Sequence, residues 1–167
     1  GSPVADSVGP AAAVSLQLGI LAAVLGMPTG LIAGAAAALR PRRGVDGTVR
    51  VMALLGVSIP SYWLAVLLLV YVGDRWPELV PRPATFGTGS TDIATDLRAL
   101  VLPALVLAVG AFGMVARPIR SALIDVLGAD DVRFARAMGL SDRQVLTRIA
   151  LRNAAPAAVT VAGMVAA

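Results

Sequence analysis

The sequence predicts an all-α polytopic membrane protein. Hydrophobic residues make up 57% of its 167 positions and charged residues only 14%, whereas soluble domains average roughly 45–50% and about 25%. Mean hydropathy is +0.82. Three windows also lack charged residues for 33, 23 and 18 positions, and a helix needs about 20 apolar residues to cross a bilayer. A soluble domain of this length could not bury so much apolar surface.

Each uncharged window predicts one spanning helix, and a fourth uncharged run of 15 residues ends with the chain. We interpret that run as half of a further helix. The start of the sequence, Gly1-Ser2-Pro3, has no initiator Met, which indicates part of a larger membrane subunit. A bend is expected at Gly26 and Pro28 within the first span, because proline interrupts helical hydrogen bonding. The predicted spans are residues 11–39, 51–72, 99–116 and 153–167.

The charge of the connecting segments predicts the orientation. Residues 40–50 carry four Arg and residues 117–152 carry seven, which together are 11 of the 14 in the chain. Since basic residues accumulate in cytoplasmic loops, both segments are expected in the cytoplasm. Residues 73–99, with three Arg against four acids, are then expected on the outer side of the bacterial cytoplasmic (inner) membrane.

The residue types that are missing exclude several functions. The chain contains no Cys and no His, and all of its basic residues are Arg. Without these side chains no thiolate metal site can form, and the usual general base near neutral pH is absent. We therefore predict no catalytic residue, no metal site and no cofactor site in this chain. The high isoelectric point follows from the lack of Lys and does not require a nucleic-acid partner.

The segment at residues 117–152 is long for a membrane loop and is predicted to be helical with one interruption. Gly139 ends the first helix, and Ser141-Asp142-Arg143-Gln144 forms a capping box that starts the next. A basic amphipathic helix of this kind could lie on anionic lipid or could dock onto another subunit. The residues alone favour neither reading, and a nucleic-acid helix–turn–helix would need its own soluble core.

The same segment contains a more specific pattern. Its sequence runs Arg-Phe-Ala-Arg-Ala-Met-Gly-Leu-Ser from Arg133 to Ser141 and ends in Arg152-Asn153-Ala154. This resembles the cytoplasmic EAA loop of binding-protein-dependent ABC transporter permeases, in the form found in the dipeptide, oligopeptide and nickel branch. The general pattern has Glu and Ala where this chain has Arg133 and Phe134, and Pro where it has Arg152.

Further patches extend the resemblance over nearly the whole chain. The stretches at residues 26–30, 57–64 and 102–105 are similar to those that the B-type permease has in its second, third and fourth helices. The resemblance implies a type I ABC importer transmembrane domain with a cytoplasmic coupling-helix loop. It further implies a permease subunit for short peptides, with a nickel or other small-solute importer as the alternative. From another class, a lipid-binding scaffold without transport stays open.

The resemblance also implies partners and site residues. The partners would be a second permease subunit, two ABC ATPase subunits that bind ATP and Mg²⁺, an extracytoplasmic solute-binding protein and the lipid bilayer. The chain would not itself be an enzyme, since it lacks the Lys of a phosphate-binding loop. The implied ATPase-docking residues are Arg133, Phe134, Ala135, Arg136, Ala137, Gly139, Leu140, Ser141 and Asp142.

A translocation path is less clearly indicated. Polar and aromatic side chains at the start of a span could line a cavity, although an interfacial belt or a helix contact explains them as well. The candidate residues are Ser58, Pro60, Ser61, Tyr62 and Trp63.

Overall fold

The computed structural model describes residues 4–77, 80, 93–141 and 144–166, and these are helical apart from short connections. A π-helical segment, Val145–Ala150, runs directly into the last helix. The α-helices are α1 (Val4–Leu39), α2 (Gly44–Ser58), α3 (Ser61–Arg75), α4 (Ile93–Gly128), α5 (Asp130–Ala137) and α6 (Leu151–Ala166). The predicted all-α class is confirmed.

Two of these helices are long and apolar enough to cross a membrane. The qualifying stretches are Ala11–Leu39 and Leu100–Gly128, each of 29 residues. At about 1.5 Å per residue each extends roughly 43 Å, which exceeds the bilayer's hydrocarbon core. Helix α1 continues through Pro28 without ending. Gly26, which was expected to be part of a bend, packs against Ala108 and Ala111 of α4.

The second predicted span is not one helix. Helices α2 and α3 meet at an angle of 100° across Ile59 and Pro60, so the prediction of a continuous helix over 51–72 is wrong. A residue before proline avoids the α conformation, and Ile59 is extended, with φ −78° and ψ 122°. Pro60 then directly precedes α3. A backbone N–H at a helix start has no partner within the helix, so the N–H that proline lacks removes no hydrogen bond.

The third predicted span, residues 99–116, lies within a longer helix. The span was predicted to end where charged residues begin, and α4 continues to Gly128. The charged side chains of Arg117 and Arg120 lie on the extension, since a helix does not have to end where it leaves a bilayer. The connection therefore begins at Ala129. The fourth predicted span, 153–167, lies in α6 as far as Ala166, and α6 begins at Leu151, directly after the π-helical segment.

Helices α1 and α4 pack along a row of glycines that we call the glycine seam: Gly26, Gly30 and Gly34. A Cβ atom at Gly26 would lie 2.6 Å from the carbonyl oxygen of Ala108, and one at Gly34 would lie 2.6 Å from that of Ala116. Small residues four apart let two membrane helices approach at backbone distance. Helix α2 packs on α4 in the same way, since a Cβ atom at Gly56 would lie 2.5 Å from the carbonyl oxygen of Val109.

A cluster of buried apolar side chains joins α1, α4 and the end of the chain. The cluster consists of Val115, Ile119 and Leu123 of α4, Ala38 of α1, and Ala150 and Ala154. Leu123 is fully buried. Since this cluster lies next to the connection after α4, it gives that connection a rigid base.

Candidate functional site

The connection between α4 and α6 forms an elbow, by which we mean residues 129–141 and 144–150. Its first half is α5, a short helix with two different faces. Val132 and Ala135 are buried and contact the buried Val145 of the second half. Because these contacts lie within the elbow, it has a small core of its own.

The elbow is also fixed to α4. Val126 and Leu127, in the last turns of α4, pack against the same buried residues. Leu127 contacts the cluster at the base of α6 as well. A displacement of α5 is therefore expected to move the end of α4, since packed side chains transmit force as a unit.

The corner of the elbow is a Schellman motif centred on Gly139. Its φ is +86°, a left-handed conformation that costs other residues energy. The Gly139 amide donates to the Arg136 carbonyl at 3.0 Å, and the Leu140 amide donates to the Ala135 carbonyl at 3.2 Å. These are the two hydrogen bonds that define the motif. The predicted helix end at Gly139 is confirmed.

The predicted capping box is present in the second half of the elbow. The Gln144 amide donates to Oγ of Ser141 at 3.4 Å, and Oε1 of Gln144 accepts from the Ser141 amide at 2.9 Å. These reciprocal bonds satisfy donors that a helix start leaves open. Asp142, which was included in the predicted site, lies outside the described residues.

The structure divides the predicted docking residues into two groups. Ala135 is buried and Leu140 is half-buried against the elbow core, so both support the surface and do not form it. The exposed members are Arg133, Phe134, Arg136, Ala137, Gly139 and Ser141.

Two large apolar side chains are exposed on the outward side of the elbow, one in α5 and one at its C-cap. Phe134 is 68% exposed and Met138 is 69% exposed. Met138 was missed in the sequence, although its spacing of four residues from Phe134 places both on one helical face. Arg133 lies beside them, and its ion pair with Asp130, at 3.7 Å between exposed groups, contributes little. Aromatic, Met and Arg side chains are enriched in protein interfaces.

A buried ion pair, not identified from the sequence, ties α2 to α4. The guanidinium of Arg120 contacts both carboxylate oxygens of Asp46, with Nε–Oδ1 at 2.5 Å and Nη2–Oδ2 at 2.8 Å. The Arg42 amide, at a residue with φ +62°, donates to Oδ2 at 3.0 Å. Only 2% of the Asp46 side chain is exposed. The sequence contains one indication of this pair: Asp46 is the single acidic residue in segment 40–50, which carries four arginines.

Electrostatics keep this carboxylate charged. Asp46 lies in the 40–50 segment, which the charge pattern predicts to be outside the bilayer. The side-chain hydrogen bonds from Arg120 and the backbone hydrogen bond from Arg42 lower the pKa of Asp46 to about 2. The ion pair therefore holds α2 against α4 near the elbow at any physiological pH.

The candidate path residues lie elsewhere, at the junction of α2 and α3. Ser58, Pro60 and Ser61 are exposed there, and Tyr62 and Trp63 are 73% and 50% exposed. The structure does not bring them together with the elbow, and their role in a path stays a prediction.

Residues 26–167 match the protein family described as the binding-protein-dependent transport system inner membrane component. The chain is 37% identical over 150 residues to the dipeptide transport system permease of Bacillus subtilis, which covers 90% of this chain and 46% of that protein. It is 34% identical over 165 residues to the dipeptide transport system permease of Lactococcus lactis subsp. cremoris, with 99% and 51% covered.

A third relative carries a different name. The metal-staphylopine import system permease of Staphylococcus aureus is 30% identical over 161 residues, which cover 96% of this chain and 48% of the relative. The chain thus spans about half the length of the curated relatives it matches.

Proposed function

Because the chain belongs to the family of binding-protein-dependent transport system inner membrane components, we propose that it is part of a permease subunit of an ATP-driven importer of short peptides. The importer moves di- and oligopeptides across the cytoplasmic membrane. The observation that carries this proposal is the family match over residues 26–167 together with two relatives named as dipeptide permeases.

The proposed assembly places ATP on other subunits. Two ABC ATPase subunits bind ATP and Mg²⁺, a second permease subunit completes the pathway, and an extracytoplasmic solute-binding protein delivers the cargo. The chain contains no phosphate-binding loop, which supports a transport role without catalysis of its own.

The elbow is the proposed ATPase-docking element. Phe134 and Met138 would enter an apolar groove on the ATPase, while Arg133 and Arg136 would meet carboxylates at its rim. The buried face of α5 rests on Val126 and Leu127 of α4. A nucleotide-driven shift of the ATPase would thus tilt α4, and the Asp46–Arg120 ion pair would carry α2 along.

A metal chelate is the second candidate cargo, and one observation favours it. The Staphylococcus aureus relative is named for metal-staphylopine import. The absence of His and Cys from this chain does not oppose that cargo, since a metal inside a chelate already has its ligands.

The experiment that tests the proposal measures ATP hydrolysis by the full-length complex in proteoliposomes. The solute-binding protein is added with dipeptides, longer peptides or chelated nickel, one at a time. We expect peptides to stimulate hydrolysis. Stimulation by chelated nickel alone would mean that the importer carries a metal chelate and not peptides. Failure of any ATPase subunit to associate would contradict the importer and favour the lipid-binding scaffold.

A further inference from the structure

Helices α2 and α4 line an open cavity of about 650 Å³ beside the Asp46–Arg120 ion pair. It lies where the arginine-rich segments meet the spanning helices, on the same side of the molecule as the elbow. Its lining includes Arg50, Val51, Leu54, Arg117, Arg120 and Ser121.

The cavity carries an excess of positive charge. Three guanidinium groups line it, and the carboxylate of Asp46 pairs with one of them, Arg120. Within residues 4–77, 80, 93–141 and 144–166, no acidic side chain forms an ion pair with Arg50 or Arg117. Asp46 is bonded to Arg120 and attracts Arg50 only at longer range, so the cavity keeps a net positive charge that favours an anion between Arg50 and Arg117.

The opposite part of the lining is apolar. Val51 is 57% exposed and Leu54 is 53% exposed, and both lie beyond Arg50 along α2, toward the part of the helix that enters the predicted span. The cavity therefore has positive charge at the end that faces the predicted cytoplasmic side and apolar surface at the end that faces the membrane. An amphiphile with an anionic head fits both ends, whereas a free anion uses only one.

We propose that this cavity binds the phosphate group of an anionic membrane phospholipid. Arg50 and Arg117 contact the phosphate oxygens, Ser121 donates a further hydrogen bond, and an acyl chain lies along Val51 and Leu54. Arg120 contributes charge while it stays fixed by Asp46. Basic pockets between membrane helices on this side of a bilayer are suited to lipid headgroups.

The test uses the full-length permease, purified and analysed by native mass spectrometry with added phosphatidylglycerol, phosphatidylcholine or inorganic phosphate. The variant is Arg50→Gln with Arg117→Gln, and Arg120 is left unchanged because it holds Asp46. The matched control is Arg43→Gln, an exposed arginine of the same segment that is not part of the lining.

We expect phosphatidylglycerol to be retained in preference to phosphatidylcholine. Each removed arginine should weaken retention by roughly fivefold, while Arg43→Gln leaves it unchanged. A second variant, Arg50→Lys with Arg117→Lys, keeps the charge and should keep most of the retention, because attraction to an anionic headgroup is similar for Lys and Arg.

Three results would overturn the proposal. One is equal retention of the two lipids by the unaltered protein, which requires no variant to fold. Another is an equal loss of retention in Arg43→Gln and in the Gln pair. The third is full displacement of the lipid by inorganic phosphate, which would indicate a site for a free anion.

Discussion

At the scale of single residues, Gly139 determines whether the elbow can turn. Its φ of +86° is left-handed, and a Cβ atom added there would meet no atom within 4 Å. The cost of a side chain is therefore conformational and amounts to about 1–2 kcal/mol.

We expect Gly139→Ala to reduce peptide-stimulated ATP hydrolysis and Gly139→Asn to reduce it less, because Asn tolerates the left-handed region. The matched control is Gly128→Ala at the last residue of α4, which also has no close neighbour but is helical, so the change should be harmless. Equal activity of Gly139→Ala and Gly128→Ala would show that the corner does not matter for coupling.

The second residue-scale prediction concerns Asp46. Asp46→Asn leaves Arg120, 22% of whose side chain is exposed, without its charged partner, and removing one partner of a mostly buried pair is destabilising. We expect a clearly lower unfolding temperature of the purified protein in detergent.

The control for Asp46 is the exposed pair of Asp130 and Arg133, with side chains 99% and 76% exposed. Asp130→Asn should leave the unfolding temperature nearly unchanged. If Asp46→Asn and Asp130→Asn gave the same temperature, the interhelical ion pair would have no structural role.

At the scale of elements, the glycine seam determines how closely α1 and α4 can approach. A Cβ atom at Gly34 would overlap the Ala116 carbonyl, which is backbone and cannot rotate away. Gly34→Ala should push α1 from α4 and destabilise the protein by about 1–3 kcal/mol.

The matched control lies on the same helix. Gly19 has no atom within 4 Å of an added Cβ, and Ala is the better helix former, so Gly19→Ala should not lower the unfolding temperature. A loss in Gly19→Ala as large as that in Gly34→Ala would contradict close packing at the seam.

The apolar helices could be predicted from the sequence, whereas not all of their ends could, and the prolines show why. Counting uncharged residues identified the apolar segments, yet it treated Pro60 like the prolines that helices tolerate. Pro103 and Pro118 lie inside α4 without ending it, because packing against α1 and α2 holds that helix together. Pro60 has an extended residue before it and marks a turn of 100°. Whether a helix continues through a proline or ends there depends on its packing against other helices, which the local sequence pattern does not show.

The candidate site shows the same division between local and distant information. The Schellman corner and the capping box depend on residues three to five apart, so the sequence was sufficient to predict both. The ion pair joins residues 74 positions apart, and no local pattern indicates which of the arginines faces Asp46. The inward position of Ala135 likewise depends on Val145, beyond the corner.

At the scale of the whole molecule, the orientation is open to a direct test because the chain has no Cys. Asp130→Cys, on the elbow, and Asp74→Cys, at the end of α3, each introduce one exposed thiol. In intact cells a membrane-impermeant maleimide should label position 74 and should label position 130 only after lysis, provided other cysteines of the full-length protein are removed. Labelling of position 130 in intact cells would reverse the proposed topology.

Docking of the elbow onto an ATPase subunit, through the exposed side chains of α5 and its C-cap, can be tested by photo-crosslinking from these positions. A photoreactive residue at Phe134 or Met138 of the full-length permease, in native membranes, should form an adduct with the ATPase. The same residue at Val24, which is 64% exposed on α1, should form none. Adducts from Phe134 and Met138 to lipid alone, as from Val24, would contradict docking and place the elbow on the membrane surface.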